Sequence, residues 1–306
     1  VAVAITLGGA GAVFWMWVVA FLGASTAYAE STLGQLYKVE ENGQYRGGPA
    51  YYFERCLGWK PLGILFAISA IIGCGIFLPG VQANAVGNAV TKIFGDGALV
   101  VTSFGDVGTN KLIALAVILI ILAFIIFGGI KRIAQFTQVV VPFMALGYIV
   151  MALIVVFLNL DKIPGVFQLI FSDAFSAQAG FGAAIGWGVK RGIYSNQGTG
   201  PHAAAAAEVE HPAQQGLVQA FSVYVDTLFV CTATALMILI TNQYNVAGTL
   251  PDGQFIVQNV DAATKINSAE FTQLALLQVF GSFGQVFVGL ALFFFAFTTI
   301  LAYYYI

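Results

Sequence analysis

Residues 178–208 read QAGFGAAIGWGVKRGIYSNQGTGPHAAAAAE, and the architecture turns on how this stretch is interpreted. It is long enough to cross a bilayer, but its centre is unlike a lipid-facing helix. Gly192, Gly198 and Gly200 flank Ser195, Asn196, Gln197 and Thr199, and Pro201 is next to them. Glycine and proline disfavour helix interiors, and short polar side chains compete for backbone hydrogen bonds. We expect helix to about Tyr194, an unwound segment over 195–200, and then a second helix. That helix has Pro201 near its first turn and an alanine run at 203–207. Non-helical backbone at membrane depth is tolerated only against protein or a wet cavity. Discontinuous helices of this kind hold substrate and coupling ions in secondary transporters. The same residues also admit a cytoplasmic loop between two short helices, which the neighbouring Lys190 and Arg191 favour.

The rest of the chain sets that stretch in lipid. Of 306 residues, 59% are hydrophobic and 8% charged, about a third of the usual charged share. Mean hydropathy is +0.88. Six segments approach or exceed the ~20 apolar residues that a bilayer core requires: 13–29, 62–83, 112–130, 138–159, 216–241 and 272–306. Two weaker, Gly-rich stretches, 1–11 and 178–208 itself, bring the expected count to about eight spans. They are continuous apolar blocks, not ten-residue alternating ones, so helices are expected and barrel strands are not. Polar, Gly-bearing loops separate them at 30–60, 88–111 and 242–270. Val1 and Ile306 both lie inside apolar runs, so we expect one transmembrane domain truncated at both ends.

Charge placement orients the spans. If each crosses once, the loop 30–60 shares a side with Lys131–Arg132 and the 190–215 region. That side holds eight basic residues: 38, 46, 55, 60, 131, 132, 190 and 191. The opposite side holds four: Lys92, Lys111, Lys162 and Lys265. The positive-inside rule puts 30–60 in the cytoplasm. A formal net charge of −2 gives no basic patch for phosphate, so no nucleic-acid partner is expected. Cys56, Cys74 and Cys231 are odd in number and lack C-x-x-C spacing, and we read them as small buried hydrophobes.

The run VKRGIYSN…GTGPHAAAAAEVEHPAQQGLVQAFSVYVDTLFVCTATALMIL resembles the alanine/sodium symporter family, also called amino acid carrier proteins. So do GGAGAVFWMWVVAFLGASTAYAESTLGQLY, RGGPAYYFERCLG and the terminal FAFTTILAYYY. The resemblance covers essentially every residue. It implies an all-α membrane protein with a leucine-transporter-like bundle of inverted repeats, here running from the outer half of helix 1 to helix 8. Matched to that scheme, 1–11 is the outer half of helix 1 and 13–29 is helix 2. Helices 3, 4 and 5 are 62–83, 112–130 and 138–159, and helices 6, 7 and 8 are 178–208, 216–241 and 272–306. Where the family continues Ser-Asn-Glu-Ala-Gly into a Gly-rich tail, this chain passes from Ser195–Asn196 straight to Gln197-Gly198-Thr199-Gly200. The helix 6 motif is thus shorter by about three residues.

Candidate site residues come from both sources. Gln82 lies after Pro79 and Gly80 in an apolar span. A buried amide there costs several kcal/mol unless paired, so it faces a cavity or another helix. The resemblance implies contact with a bound amino acid. Tyr194, Ser195, Asn196 and Gly198 at the helix 6 break supply an aromatic lid and polar or carbonyl contacts to the substrate. Thr298 and Thr299 are adjacent hydroxyls in an apolar run, and hard cations take oxygen ligands. In this fold such hydroxyls on helix 8 complete a sodium site, although a membrane threonine also bonds its own i−4 carbonyl.

Other residues read more plainly. Asp226 lies inside helix 7, where a hydrogen-bonded role within the bundle is expected. Lys190–Arg191 neutralise carbonyls or face a vestibule, and His202 and His211 cap or pair locally. Trp15, Trp17 and the cluster at 303–305 fit an interfacial aromatic belt. Gly180, Gly182 and Gly186 have the wrong spacing for a dinucleotide fingerprint. One midspan acid, with no H-E-x-x-H and no G-x-S-x-G, argues against an intramembrane enzyme. The expectation is a multi-pass carrier in the cytoplasmic membrane that needs no cofactor. It couples a small neutral amino acid, alanine or glycine, to sodium, with the lipid bilayer as its other partner. A passive channel, or a related amino acid transporter without sodium coupling, is the alternative.

Overall fold

The computed structural model describes residues 1–41, 43–102, 105–127, 129–176, 181–196, 200–247, 255–261 and 270–304. Among the described residues, helices are joined by three small hairpins. In chain order the first elements are α1 (Ala2–Gly8) and α2 (Gly11–Leu36), the hairpin β1 (Val39–Glu41) with β2 (Gln44–Arg46), and α3 (Pro49–Arg55). A long rod comes next: α4 (Lys60–Ile72), a π-helical turn at Gly73–Phe77, and α5 (Leu78–Phe94). The hairpin β3 (Leu99–Thr102) with β4 (Gly105–Gly108) leads to α6 (Thr109–Ile126), α7 (Gly129–Leu158) and α8 (Ile163–Ala174). Then come α9 (Phe181–Asn196), α10 (Gly200–Ala206) and α11 (Pro212–Tyr224). A second π-helical turn, Val225–Cys231, joins α11 to α12 (Thr232–Ile240). The hairpin β5 (Asn245–Ala247) with β6 (Phe255–Gln258), α13 (Phe271–Phe280) and α14 (Ser282–Tyr304) complete the chain. All three strand pairs are antiparallel.

Among the described residues, six helices are long and apolar enough to cross a membrane. They are Gly11–Leu36, Lys60–Phe94, Thr109–Ile126, Gln135–Leu158, Pro212–Ile240 and Ser282–Tyr303. The two Gly-rich stretches counted with them form shorter helices. Three boundaries differ from expectation. The span at 13–29 runs on to Leu36, because Ser31, Thr32 and Gln35 are tolerated where the helix leaves the apolar zone. The span at 62–83 extends through the π turn to Phe94, and Pro79 fits because it stands in the first turn of α5. The terminal run is two helices, broken at Gly281, whose φ of 62° suits glycine. The helix α8 had no expectation at all.

The two ends of α2 gather different loops. At its start, Asp173, Tyr244, Val246 and Ile256 surround Gly9 and Ala10. At its finish, Gln35 Nε2 donates to the Ala204 and Ala207 carbonyls, the latter at 2.8 Å, and Lys38 Nζ donates to Ala207 O at 3.0 Å. A helix of 26 residues separates these ends by about 39 Å. The hairpin β1–β2 and the end of α10 therefore sit on one side, and β5–β6 with the end of α8 on the other. Lys92 pairs with Glu270 at 3.3 Å, which brings the loop after α5 to that second side.

One core joins α1, α2, α7, α8, α12, α13 and α14 through Ile5, Val13, Val155, Ile170, Ile238, Leu276 and Val288. A second lies between α5, α6 and α14 at Val86, Ile118, Phe297 and Leu301. The helix α9 packs against α2 without large side chains between them. A Cβ at Gly188 would come within 2.5 Å of the Ala12 carbonyl, and one at Gly192 within 2.7 Å of Val19 Cβ. Small residues spaced four apart let two membrane helices approach closely.

Candidate functional site

The helix at 181–196 ends later than the glycine pattern alone indicates, and the chain resumes helix at Gly200. Residues 197–199, Gly198 among them, lie outside the described residues. On one side of α9 a cavity of about 780 Å³ opens. Its wall is made by α1, the end of α2, α3, the α4–α5 rod, α9, the start of α10 and the end of α14. Aliphatic and aromatic groups dominate it: Val3, Ala4, Phe53, Phe66, Leu78, Trp187 and Ile193. The polar groups are Glu30, Tyr52, Ser69, Lys190, Arg191, Tyr194, His202 and Tyr303. An apolar enclosure with a few convergent polar groups is the usual form of a small-molecule site.

Lys190 Nζ stands 4.4 Å from the centre of the Trp187 ring, and the Arg191 guanidinium 5.4 Å from that of Tyr194. Such contacts attract a cation to the face of an aromatic ring. Burial and the neighbouring Glu30 charge push the Tyr52 phenol up to about 12, so it stays a neutral hydrogen-bonding group.

Gln82 and Tyr194 come together: Gln82 Nε2 donates to Tyr194 Oη at 3.4 Å. That hydroxyl lies 3.5 Å from Tyr303 Oη. Tyr303 thus lines the cavity, its place on α14 turning it inward. The indoles of Trp15 and Trp17 also find partners inside the bundle, the Ala174 carbonyl at 3.1 Å and Thr232 Oγ1 at 2.8 Å.

Ser195 is separated from Tyr194. Because α9 is still helical there, successive side chains point about 100° apart. Ser195 Oγ donates to Asp226 and lies 2.9 Å from Thr227 Oγ1. Asp226 is therefore hydrogen-bonded within the bundle, as its place in the sequence indicates. Asn196 is the last residue of α9. Thr298 Oγ1 donates to Phe294 O at 2.8 Å, and Thr299 Oγ1 to Phe295 O at 2.7 Å. Both hydroxyls are anchored to their own helix with oxygen lone pairs left over.

Three further outcomes correct or complete the sequence reading. His211 caps α11, its Nδ1 accepting from Ala213 N at 3.2 Å, whereas His202 lines the cavity. Of the cysteines only Cys231 is buried, and Cys56 is exposed. Glu30 and Tyr52 belong to the cavity but fall in what reads as a polar loop. Glu30 is carried to the cavity because α2 runs on through it to Leu36.

A sequence family described as "Sodium:alanine symporter family" matches residues 1–306. A protein named as a putative sodium/proton-dependent alanine carrier from Bacillus subtilis (strain 168) is 53% identical over 313 residues, with 100% of this chain and 61% of the relative covered. A sodium/proton-dependent alanine carrier protein from Bacillus sp. (strain PS3) is 45% identical over 312 residues, covering 100% of this chain and 66% of the relative. The sodium/alanine symporter of Methanococcus maripaludis is 39% identical over 320 residues, covering 100% of the chain and 64% of the relative. The chain spans about three fifths to two thirds of the length of these relatives.

Proposed function

The chain belongs to the sodium:alanine symporter family, and on that basis we propose that it carries a small neutral amino acid, alanine or glycine, together with sodium. The transport is across the cytoplasmic membrane by alternating access, in a leucine-transporter arrangement. The observation that carries this reading is the cavity of about 780 Å³ against α9, where Arg191, Tyr194, His202 and Tyr303 converge on an apolar wall. The last backbone carbonyls of α9, up to Asn196, bear the negative end of the helix dipole. They suit the substrate ammonium. Gln82, Tyr194 and Tyr303 form a polar corner beside them, and the apolar wall accepts a methyl group or a hydrogen. Thr298 and Thr299 supply hydroxyl oxygens to sodium from α14.

Coupling requires that sodium and amino acid each bind more tightly when the other is present. The test uses the full-length carrier that contains this chain, purified in detergent. Alanine should raise its melting temperature in sodium chloride and leave it unchanged in choline chloride. An equal rise in both salts would contradict sodium coupling. The names of the two Bacillus relatives pair sodium with the proton. A smaller rise in choline chloride at low pH than in sodium chloride is the corresponding expectation here.

A further inference from the structure

We propose that the crevice between α5 and α6 binds an anionic phospholipid, whose phosphate is held by Lys111, Asn84 and Asn88. The site needs only that the chain stands in lipid, and it is independent of what the carrier transports.

Lys111 is a cation held by amides and not by an acid. Its Nζ donates to Asn84 Oδ1 at 2.8 Å and to Asn88 Oδ1 at 2.9 Å. The ion pairs among the described residues are Lys60–Glu54 and Lys92–Glu270, so no described carboxylate neutralises it. The first turn of α6 carries no acid either. An ammonium accepts no hydrogen bond, so both amides must turn their oxygens toward it and their nitrogens away. Three donor groups are left over: the third N–H of Lys111 and the Nδ2 groups of Asn84 and Asn88, which meet no acceptor among the described residues. Donors gathered around one uncompensated positive charge select an anion, and a phosphate offers several acceptor oxygens.

The depth of the cluster points to lipid. Asn110 Nδ2 donates to the Phe94 and Gly95 carbonyls at 3.2 and 3.0 Å, so the start of α6 is level with the end of α5. Asn88 and Asn84 stand six and ten residues before Phe94, about 9 and 15 Å along α5. Lysines near the end of a membrane helix usually extend toward water. Lys111 reaches the other way. Gly87 gives its stem a bed, since a Cβ there would come within 2.7 Å of Lys111 Cγ. A cation fixed below the interface is costly unless a counter-charge meets it.

An apolar track begins where the polar cluster ends. Asn84 is exposed, and Val81 and Phe77, three and seven residues earlier on the same face of the rod, are 62% and 66% exposed. On α6, Ile113 and Val117 are exposed as well. These groups run from the cluster toward the middle of the bilayer and accept an acyl chain whose phosphate rests on Lys111. The charge placement of the loops makes this end external, so the lipid belongs to the outer leaflet. An anionic headgroup suits the site, because a zwitterionic one brings its own cation toward Lys111.

The plain alternative is that Lys111 only ties α6 to α5. The test uses the full-length carrier in detergent micelles doped with an equal mole fraction of phosphatidylglycerol or phosphatidylcholine of the same acyl chains. Phosphatidylglycerol should give a melting temperature about 2 °C or more above that in phosphatidylcholine. Lys111→Gln still donates to an asparagine but has no charge, and it should lose at least half of that difference. A tie alone would lower the melting temperature of K111Q equally in both lipids, and a difference as large as the parent's overturns the site. If K111Q does not fold, Asn84→Ala removes an exposed donor and should shrink the difference, and an unchanged difference there overturns the site as well. Equal melting of the parent in the two lipids overturns it without any variant. Inorganic phosphate added to the phosphatidylcholine micelles should change nothing. A rise matching that of phosphatidylglycerol would show a site for the free anion and overturn the lipid.

Discussion

The carboxylate of Asp173 accepts a hydrogen bond from the backbone N–H of Gly11 at 2.8 Å, which fixes the end of α8 against the first turn of α2. The residue at the head of α2 is Ala10, whose side chain cannot cap. An acid from 162 residues away supplies the missing acceptor, with the helix dipole in its favour. Gly9 makes room for it: its φ is 75°, and a Cβ there would come within 2.3 Å of Asp173 Oδ2.

Asp173→Ala should therefore lower stability by about 1–2 kcal/mol, seen as a lower melting temperature of the purified carrier. Asp173→Asn keeps the acceptor and loses the charge, and should lose about half as much. Gly9→Ala should be worse than either, because it combines a strained φ with a clash. Equal melting temperatures for D173A and the parent would show that the contact contributes nothing.

Tyr194 stands between Gln82 and Tyr303 at the cavity wall. Removing its hydroxyl by Tyr194→Phe breaks both contacts and leaves the ring beneath Arg191. The alanine KM should rise by about 2–10-fold, the usual worth of one net hydrogen bond. Sodium dependence should not change. A KM equal to the parent's would remove this corner from the substrate path.

Thr298→Val with Thr299→Val keeps volume and removes two oxygens. Their hydroxyl protons are already committed to Phe294 and Phe295 carbonyls, so the helix loses little and sodium loses two ligands. The double variant should need about tenfold more sodium for half-maximal uptake. An unchanged sodium requirement contradicts that assignment.

Much of the helical architecture was legible because lipid demands continuous apolar runs, and glycine with proline marks where they stop. The amphipathic α8 was not, since neither its length nor its composition meets the demand for a span. The end of α2 was missed because polar residues from Ser31 onward look like loop even when the helix continues. The site divided for a geometric reason. Tyr194, Ser195 and Asn196 read as one unit only if the chain unwinds before them, and helix through Asn196 sends Tyr194 to the cavity and Ser195 to Asp226.

The shortened motif bears on the pocket itself. Only 197–199 connect Asn196 to Gly200 in sequence, and the resemblance drawn above implies about three more residues there. Removing three helical residues would turn α10 by about 300° relative to α9 and draw it ~4.5 Å closer. The carrier with the present motif should bind alanine weakly, and inserting Glu-Ala-Gly after Asn196 should tighten it at least tenfold. Radiolabelled alanine binding to both versions in saturating sodium decides this. Equal, tight binding by both would show that the shorter break is harmless.

Sodium-driven accumulation separates a symporter from a passive pathway in one measurement. Proteoliposomes of the full-length carrier are given an inward sodium gradient at clamped voltage and fed radiolabelled alanine. The internal concentration should rise above the external one, saturate with alanine, and fall back to equality when sodium is equal on both sides. Alanine that only equilibrates, at the same rate with or without the gradient, would contradict symport and leave a passive pathway.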